Sequence, residues 1–152
     1  MSQSTLLLSL FKYKAWANEQ LFAELAKMDA DTHAVQRQTA IRLLNHIHVV
    51  DRIFAAHLSG TAHDYSATNT TETPTLEALH QAVAETERRS FQFTDGAGGG
   101  MSREEMLAHV ATHGGYHRGA VGRIMAQAGV PPPRDIFTVY LHQAEPGRRQ
   151  AR

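Results

Sequence analysis

The chain has no cysteine. Disulfides, thiolate metal sites and a cysteine nucleophile are therefore excluded. No apolar run approaches the ~18 residues that a membrane-spanning helix needs. Net charge is absent too: 15 Lys plus Arg balance 15 Asp plus Glu, so no bulk field draws the protein to nucleic acid or to an anionic membrane. Met1-Ser2-Gln3-Ser4 lacks the basic region of a secretory signal, and Leu6, Leu7 and Leu8 are soon followed by Lys12 and Lys14. Strand alternation, hairpin turns and internal repeats are missing. The expectation is a cytoplasmic, all-α globular protein whose 152 residues form one domain around one core. Against these absences stands an excess. Ten histidines are many for this length, and a functional reading has to account for some of them.

Apolar residues recur at helical spacing in four long segments. The first helix starts after Ser4 or Thr5, carries Leu7, Leu10, Phe11, Leu21, Phe22 and Leu25, and ends near Met28, with Trp16 as a core anchor. Asp29 to Gln38 reads as a polar connection. The second helix runs from about Thr39 to Leu58, with Leu43, Ile47, Val50, Phe54 and Leu58 as its stripe, and Ser59-Gly60 stops it. Thr61 to Thr73 has no period and is long for a hairpin, so it reads as a crossover that lets the second and third helices run parallel. The third helix opens near Thr73-Pro74, faces Leu76, Leu79 and Val83 inward, and stops before the glycine-rich loop Asp95 to Gly100. Ser102-Arg103-Glu104-Glu105 is a capping box for the fourth helix, which continues through Gly114-Gly115 to Gly129. Its Gly115, Gly119 and Gly122 align with Ala108, Ala111 and Ala126, which suggests a closely approaching helix backbone. After Pro131-Pro132-Pro133, Asp135 to Gln143 forms a short closing element. Residues 1–144 are thus the domain, and 145–152 a basic, disordered tail.

The fourth helix holds the chemistry. His113 and His117, four apart, lie about 40° apart around a helix and about 6 Å apart along it, so both imidazoles can reach one ion. No Glu follows His113, so this is not the HExxH protease signature. Both fall in line with Met106, Val110 and Ile124, read as the core-facing stripe, and imidazoles placed there need partners. A metal is one such partner. Carbonyls or carboxylates bonding two core histidines are the other. A third ligand has to come from another element, and His46, beside an inward face of the second helix, is the candidate. His109 completes a ladder with His113 and His117, but its outer members are about 12 Å apart along the axis, too far for one small ion. His109 is therefore placed behind the ligands, at a subunit contact or on the surface. His57 lies about 16 Å beyond His46. His48 is directed to solvent, and His33, His63, His80 and His142 sit in loops or on polar faces. All-imidazole donors suit zinc or nickel, and also cobalt, copper or iron.

Four stretches in this order resemble the DinB family of small bacterial metalloproteins, named for damage-inducible members. They are Phe11-Lys12-Tyr13-Lys14-Ala15-Trp16-Ala17-Asn18; Leu44-Asn45-His46-Ile47 with Asp51 five residues after the histidine; His113 to Gly119 ending in His117-Arg118-Gly119; and Gly129-Val130-Pro131 with Asp135-Ile136-Phe137. The family's usual Gln after His-Arg-Gly is Ala120 here. The resemblance implies an up-down-down-up four-helix bundle with a long crossover between helices two and three. It also implies a divalent metal on His46, His113 and His117, and a homodimer. Thiol-dependent transferases and isomerases among its relatives imply a small-molecule substrate and a low-molecular-weight thiol. Tyr13, Trp16, Asn45, Tyr116 and Arg118 are candidates to orient substrate, or structural residues. Metal-dependent hydrolysis is the weaker alternative, because Asp51 lies about 140° around the helix from His46. A non-enzymatic stress protein is the other.

Overall fold

The structure, a computed structural model, describes residues 3–88, 103–144 and 146–148. Five helices follow in order: α1 (Gln3–Ala26), α2 (Ala34–Ser59), α3 (Leu76–Arg88), α4 (Arg103–Gln127) and α5 (Phe137–Ala144). Among the described residues there is no strand, and no helix is long and apolar enough to cross a membrane. Pro146–Arg148 form one 3-10 turn inside the stretch expected to be disordered. Ser102 of the expected capping box, the Asp95 to Gly100 loop, Glu145 and residues 149–152 lie outside the described residues.

Helix starts differ from the sequence reading. α1 already includes Ser4 and Thr5, which were expected to cap it. α2 begins at Ala34, not Thr39. Gln36, Arg37 and Gln38 propagate a helix well without any apolar period, and Thr39 bonds back to the Val35 carbonyl at 2.8 Å inside it. α3 begins at Leu76 because Thr75, rather than Thr73, caps it: its Oγ1 accepts the Ala78 amide at 3.1 Å, and Pro74 stays outside the helix. At the C-terminal end of α4, Gly129 adopts φ +74°, the left-handed geometry that ends the helix ahead of the proline run.

Leu21, Phe22 and Leu25 of α1 and Met28 just after it meet Ile41, Leu44 and Ile47 of α2, Leu76, Leu79 and Val83 of α3, and Val121 and Met125 of α4 in one apolar core. Burial of this set is the main force assembling the bundle. The expected inward face of α3 is correct. On α2 the expected Ile47, Val50 and Leu58 are buried, Leu43 and Phe54 are half-buried, and Leu44 and Asp51 join the inner face. On α4 the core stripe is rotated by one residue, and Leu107, Val110, Gly114, Arg118, Val121 and Met125 form the inner face. Trp16 is not a deep anchor. It is half-buried and packs on Tyr140 of α5, with ring centroids 5.8 Å apart.

Charge enters this core in balanced pairs. Lys14 Nζ donates to Asp51 Oδ2 at 2.5 Å, and their side chains are 4% and 8% exposed. Arg118 Nε donates to Asp135 Oδ2 at 2.8 Å, and its Nη1 reaches Asn18 Oδ1 at 3.4 Å. The Tyr13 hydroxyl also donates to Asp135. Burial and this carboxylate push the Tyr13 phenol up to about 12, so it stays a donor. Of the close approaches expected along Gly115, Gly119 and Gly122, the one at Gly122 occurs, where a Cβ would sit 3.3 Å from Pro132 Cβ. A tighter one occurs at Gly114. A Cβ there would sit 3.1 Å from both Lys14 Cε and Arg118 Nη1, so side chains, not a backbone, press on the helix. Gly119 has nothing within 4 Å.

Cross-helix pairs show how the rods run. Lys14 lies beside Gly114 and Asn18 beside Arg118, so α1 and α4 advance together. Phe54 meets His109 while His46 meets His113 and His117, so α2 opposes α4. These pairs set α1 and α4 parallel and α2 antiparallel to both.

Candidate metal centre

α4 is continuous through Gly114-Gly115, so His113 and His117 stand one turn apart on its flank. α2 crosses there and supplies His46. The ring centroids of His46 lie 5.1 Å from His113 and 4.8 Å from His117, and those of His113 and His117 are 4.6 Å apart. One ring nitrogen from each falls within 4.8 Å of the other two. All three residues are half-buried, and the group contains no fourth His, Asp or Glu among the described residues.

The donor set fits a cation. His46 Nδ1 lies 2.7 Å from the Thr68 carbonyl, and a carbonyl can only accept, so Nδ1 carries the proton. The lone pair of His46 is then on Nε2, which faces His113 Nε2 at 3.2 Å. Two donors each ~2.05 Å from a tetrahedral zinc stand roughly 3.3 Å apart. Opposed ring nitrogens at that spacing suit a shared positive ion. His113 Nδ1 is buried and meets no hydrogen-bond partner among the described residues. Carbonyls and carboxylates thus do not account for both α4 histidines.

His113 and His117 are held neutral, as ligands must be. Burial, then the neighbouring His117 and His46, pushes His113 down to about 4. Burial and then His46 lower His117. His48, expected in solvent, is half-buried and is also pushed down to about 4, chiefly by burial and then by Arg52 and Lys14. The sign of the consequence is fixed. An unfolded imidazole binds its proton near pH 6.5, whereas these folded rings resist protonation until about pH 4. Between those values the unfolded chain holds more protons, so the metal-free protein loses stability as pH falls from about 6.5 towards 4. Melts of the metal-free protein by circular dichroism across that range test this; a flat profile would contradict neutral, buried rings.

The other expected residues divide clearly. His109 is exposed and packs between Phe54 and His113, with centroids 5.2 and 5.4 Å away, and does not join the triad. His57 pairs with His63 instead, at 5.2 Å. His80 stacks on Phe22 and bonds Glu19 at 2.9 Å. Tyr116, 77% exposed, stands edge-on to His117 at 5.1 Å and is the one substrate candidate bordering the triad in the open. Tyr13 and Arg118 are spent on Asp135, and Asn45 on the crossover. Cavities of about 530 Å³ beside Arg52, His63 and Thr86 and about 320 Å³ beside Ala17, Gly122 and Pro132 do not include the triad. The three half-buried imidazoles lie outside both.

The sequence reading missed Thr68, which lies in a stretch without period. A weak signal existed: Asn45 precedes His46 on the inner side of α2, and a buried asparagine needs partners from outside its helix.

Comparison with known proteins follows the same line. The sequence model of the DinB family matches residues 1–150. The chain is similar to Protein DinB of Bacillus subtilis (strain 168), at 26% identity over 157 residues that span 87% of this chain and 91% of that protein. No solved structure gives a significant match.

Proposed function

Because this chain belongs to the DinB family, we propose that it is a metal-dependent enzyme. His46, His113 and His117 hold one divalent ion, zinc or nickel ahead of cobalt, iron or copper, and a low-molecular-weight thiol reaches it for S-transfer to, or isomerisation of, a small electrophile. The observation that supports this is the half-exposed group of three imidazoles with no fourth ligating side chain among the described residues. A closed, structural zinc site has four protein ligands, whereas an open one keeps a position for a small molecule. When bound, the ion supplies positive charge that lowers the pKa of a thiol reaching it.

The protein's own groups prepare that position. The Thr68 carbonyl turns the lone pair of His46 inward. The lowered proton affinity of His113 and His117 keeps them available at neutral pH. Tyr116 offers an exposed aromatic wall beside His117. The hydrolytic reading is weakened from inside the core. Asp51, the acid nearest to His46 along α2, is tied to Lys14 and is no base for a water at the triad.

The test is turnover of chlorinated or other electrophilic substrates by metal-loaded protein with bacillithiol, mycothiol or glutathione. Activity is expected with at least one thiol. Inactivity with all three, together with a large fall in melting temperature on chelation, would replace this reading with a non-enzymatic, metal-stabilised protein.

A further inference from the structure

The crossover between α2 and α3 is bonded to α2 by a set of polar contacts centred on one buried side chain. Asn45, 3% exposed, donates from Nδ2 to Asn69 Oδ1 at 2.5 Å and to Thr70 Oγ1 at 2.6 Å. Asn69 Nδ2 donates to the Arg42 carbonyl at 3.0 Å, and its Oδ1 also accepts the Thr70 amide at 3.0 Å. Arg42 Nη1 donates to the Thr70 carbonyl at 2.5 Å. Thr70 Oγ1 donates onward to the Glu72 carbonyl at 2.6 Å. One residue before this knot, the Thr68 carbonyl accepts from His46 Nδ1. The bonds close a ring: Asn45 holds residues 69 and 70, these place the carbonyl of residue 68, and that carbonyl orients the side chain of residue 46, the chain neighbour of Asn45.

We propose that Asn45 is a positioning residue for the metal centre. It holds the crossover so that the Thr68 carbonyl selects the His46 tautomer whose Nε2 points at His113 and His117. The inference rests on the metal reading above. Its physical basis is that an imidazole presents a lone pair in a defined direction only when its other nitrogen has a fixed partner. Thr68 is exposed and belongs to no helix, so its carbonyl has a defined position only through its neighbours. Each bond in the ring is of ordinary strength, but all of them stand or fall together because Asn69 and Thr70 share the same donor.

The test uses full-length protein and two variants, Asn45→Ala from α2 and Asn69→Ala from the crossover. Nitrogen NMR of the metal-free protein reads the tautomer of His46, and competition with a chromophoric chelator reads zinc affinity. In the unaltered protein His46 is expected as the Nδ1–H form. In both variants that form is expected to give way to a mixture and zinc to bind about 10–100-fold more weakly, with helical content retained. If Asn45→Ala fails to fold, Asn69→Ala carries the test alone, since its side chain lies outside the helices. Unaltered His46 signals together with unaltered zinc affinity in the variants would overturn the proposal. If the unaltered protein takes up no zinc, the metal reading fails, while the tautomer measurement still decides what Asn45 does.

Discussion

His117→Ala is expected to lose stoichiometric metal binding while keeping the fold. The two remaining imidazoles, His46 and His113, come from different helices and offer only two donors. Binding should weaken by well over the ~100-fold that disturbing a group behind a ligand costs. The fold survives because the His117 ring is half-buried on the flank of α4 and is no part of the apolar core around Val121 and Met125. Its removal should change the stability of the metal-free protein by about 1 kcal/mol or less. His109→Ala is the matched control. It removes a ring from the same ladder, one that is exposed and rests on Phe54, and should leave one metal per chain. Elemental analysis of protein purified without a histidine tag or added metal distinguishes the two. Equal metal content in both variants would dismiss the triad.

Asp51→Ala is expected to destabilise the fold by about 3–5 kcal/mol, because it removes the carboxylate that compensates the buried charge of Lys14. For a chain of this size that is a fall of roughly 10 °C in melting temperature. The cost is one of burial. The Asp51 carboxyl is held above the usual carboxylate range by desolvation even with Lys14 beside it, and its Oδ1 meets no partner among the described residues. Replacing both charges with apolar groups of similar size, as Lys14→Met with Asp51→Leu, should therefore recover most of the loss or exceed the starting stability. Denaturant melts of the single and double variants form the cycle that measures this. A double variant as unstable as the single one would show that the pair contributes something beyond charge compensation.

These charges also explain what the sequence concealed. The four helices were legible because Leu21, Phe22 and Leu25, or Leu76, Leu79 and Val83, recur at 3.6-residue spacing and are buried. The histidines were legible because residues four apart must share a helix face. The inner stripe of α4 was misread by one position, and Asp51 was missed on α2, for a single reason. Asp51 and Arg118 occupy core positions, and a pattern drawn through apolar residues alone passes over them. The start of α2 was hidden because Val35 is exposed and Gln36 to Gln38 carry no period. Thr68 was out of reach altogether, since its hydrogen bond spans 22 residues and depends on where a loop without pattern returns.

The Arg118 to Asp135 pair sets a condition on how the protein is made. The guanidinium sits 2% exposed in the middle of α4, and its carboxylate arrives 17 residues later. A nascent chain that has emerged only through α4 carries this cation with no Asp135 to receive it. The bundle should then stay loosely closed at the ribosome until the segment after the proline run has emerged. Fragments cut between Gln127 and Asp135 inherit the same defect permanently, so a useful C-terminal truncation has to end beyond the aspartate.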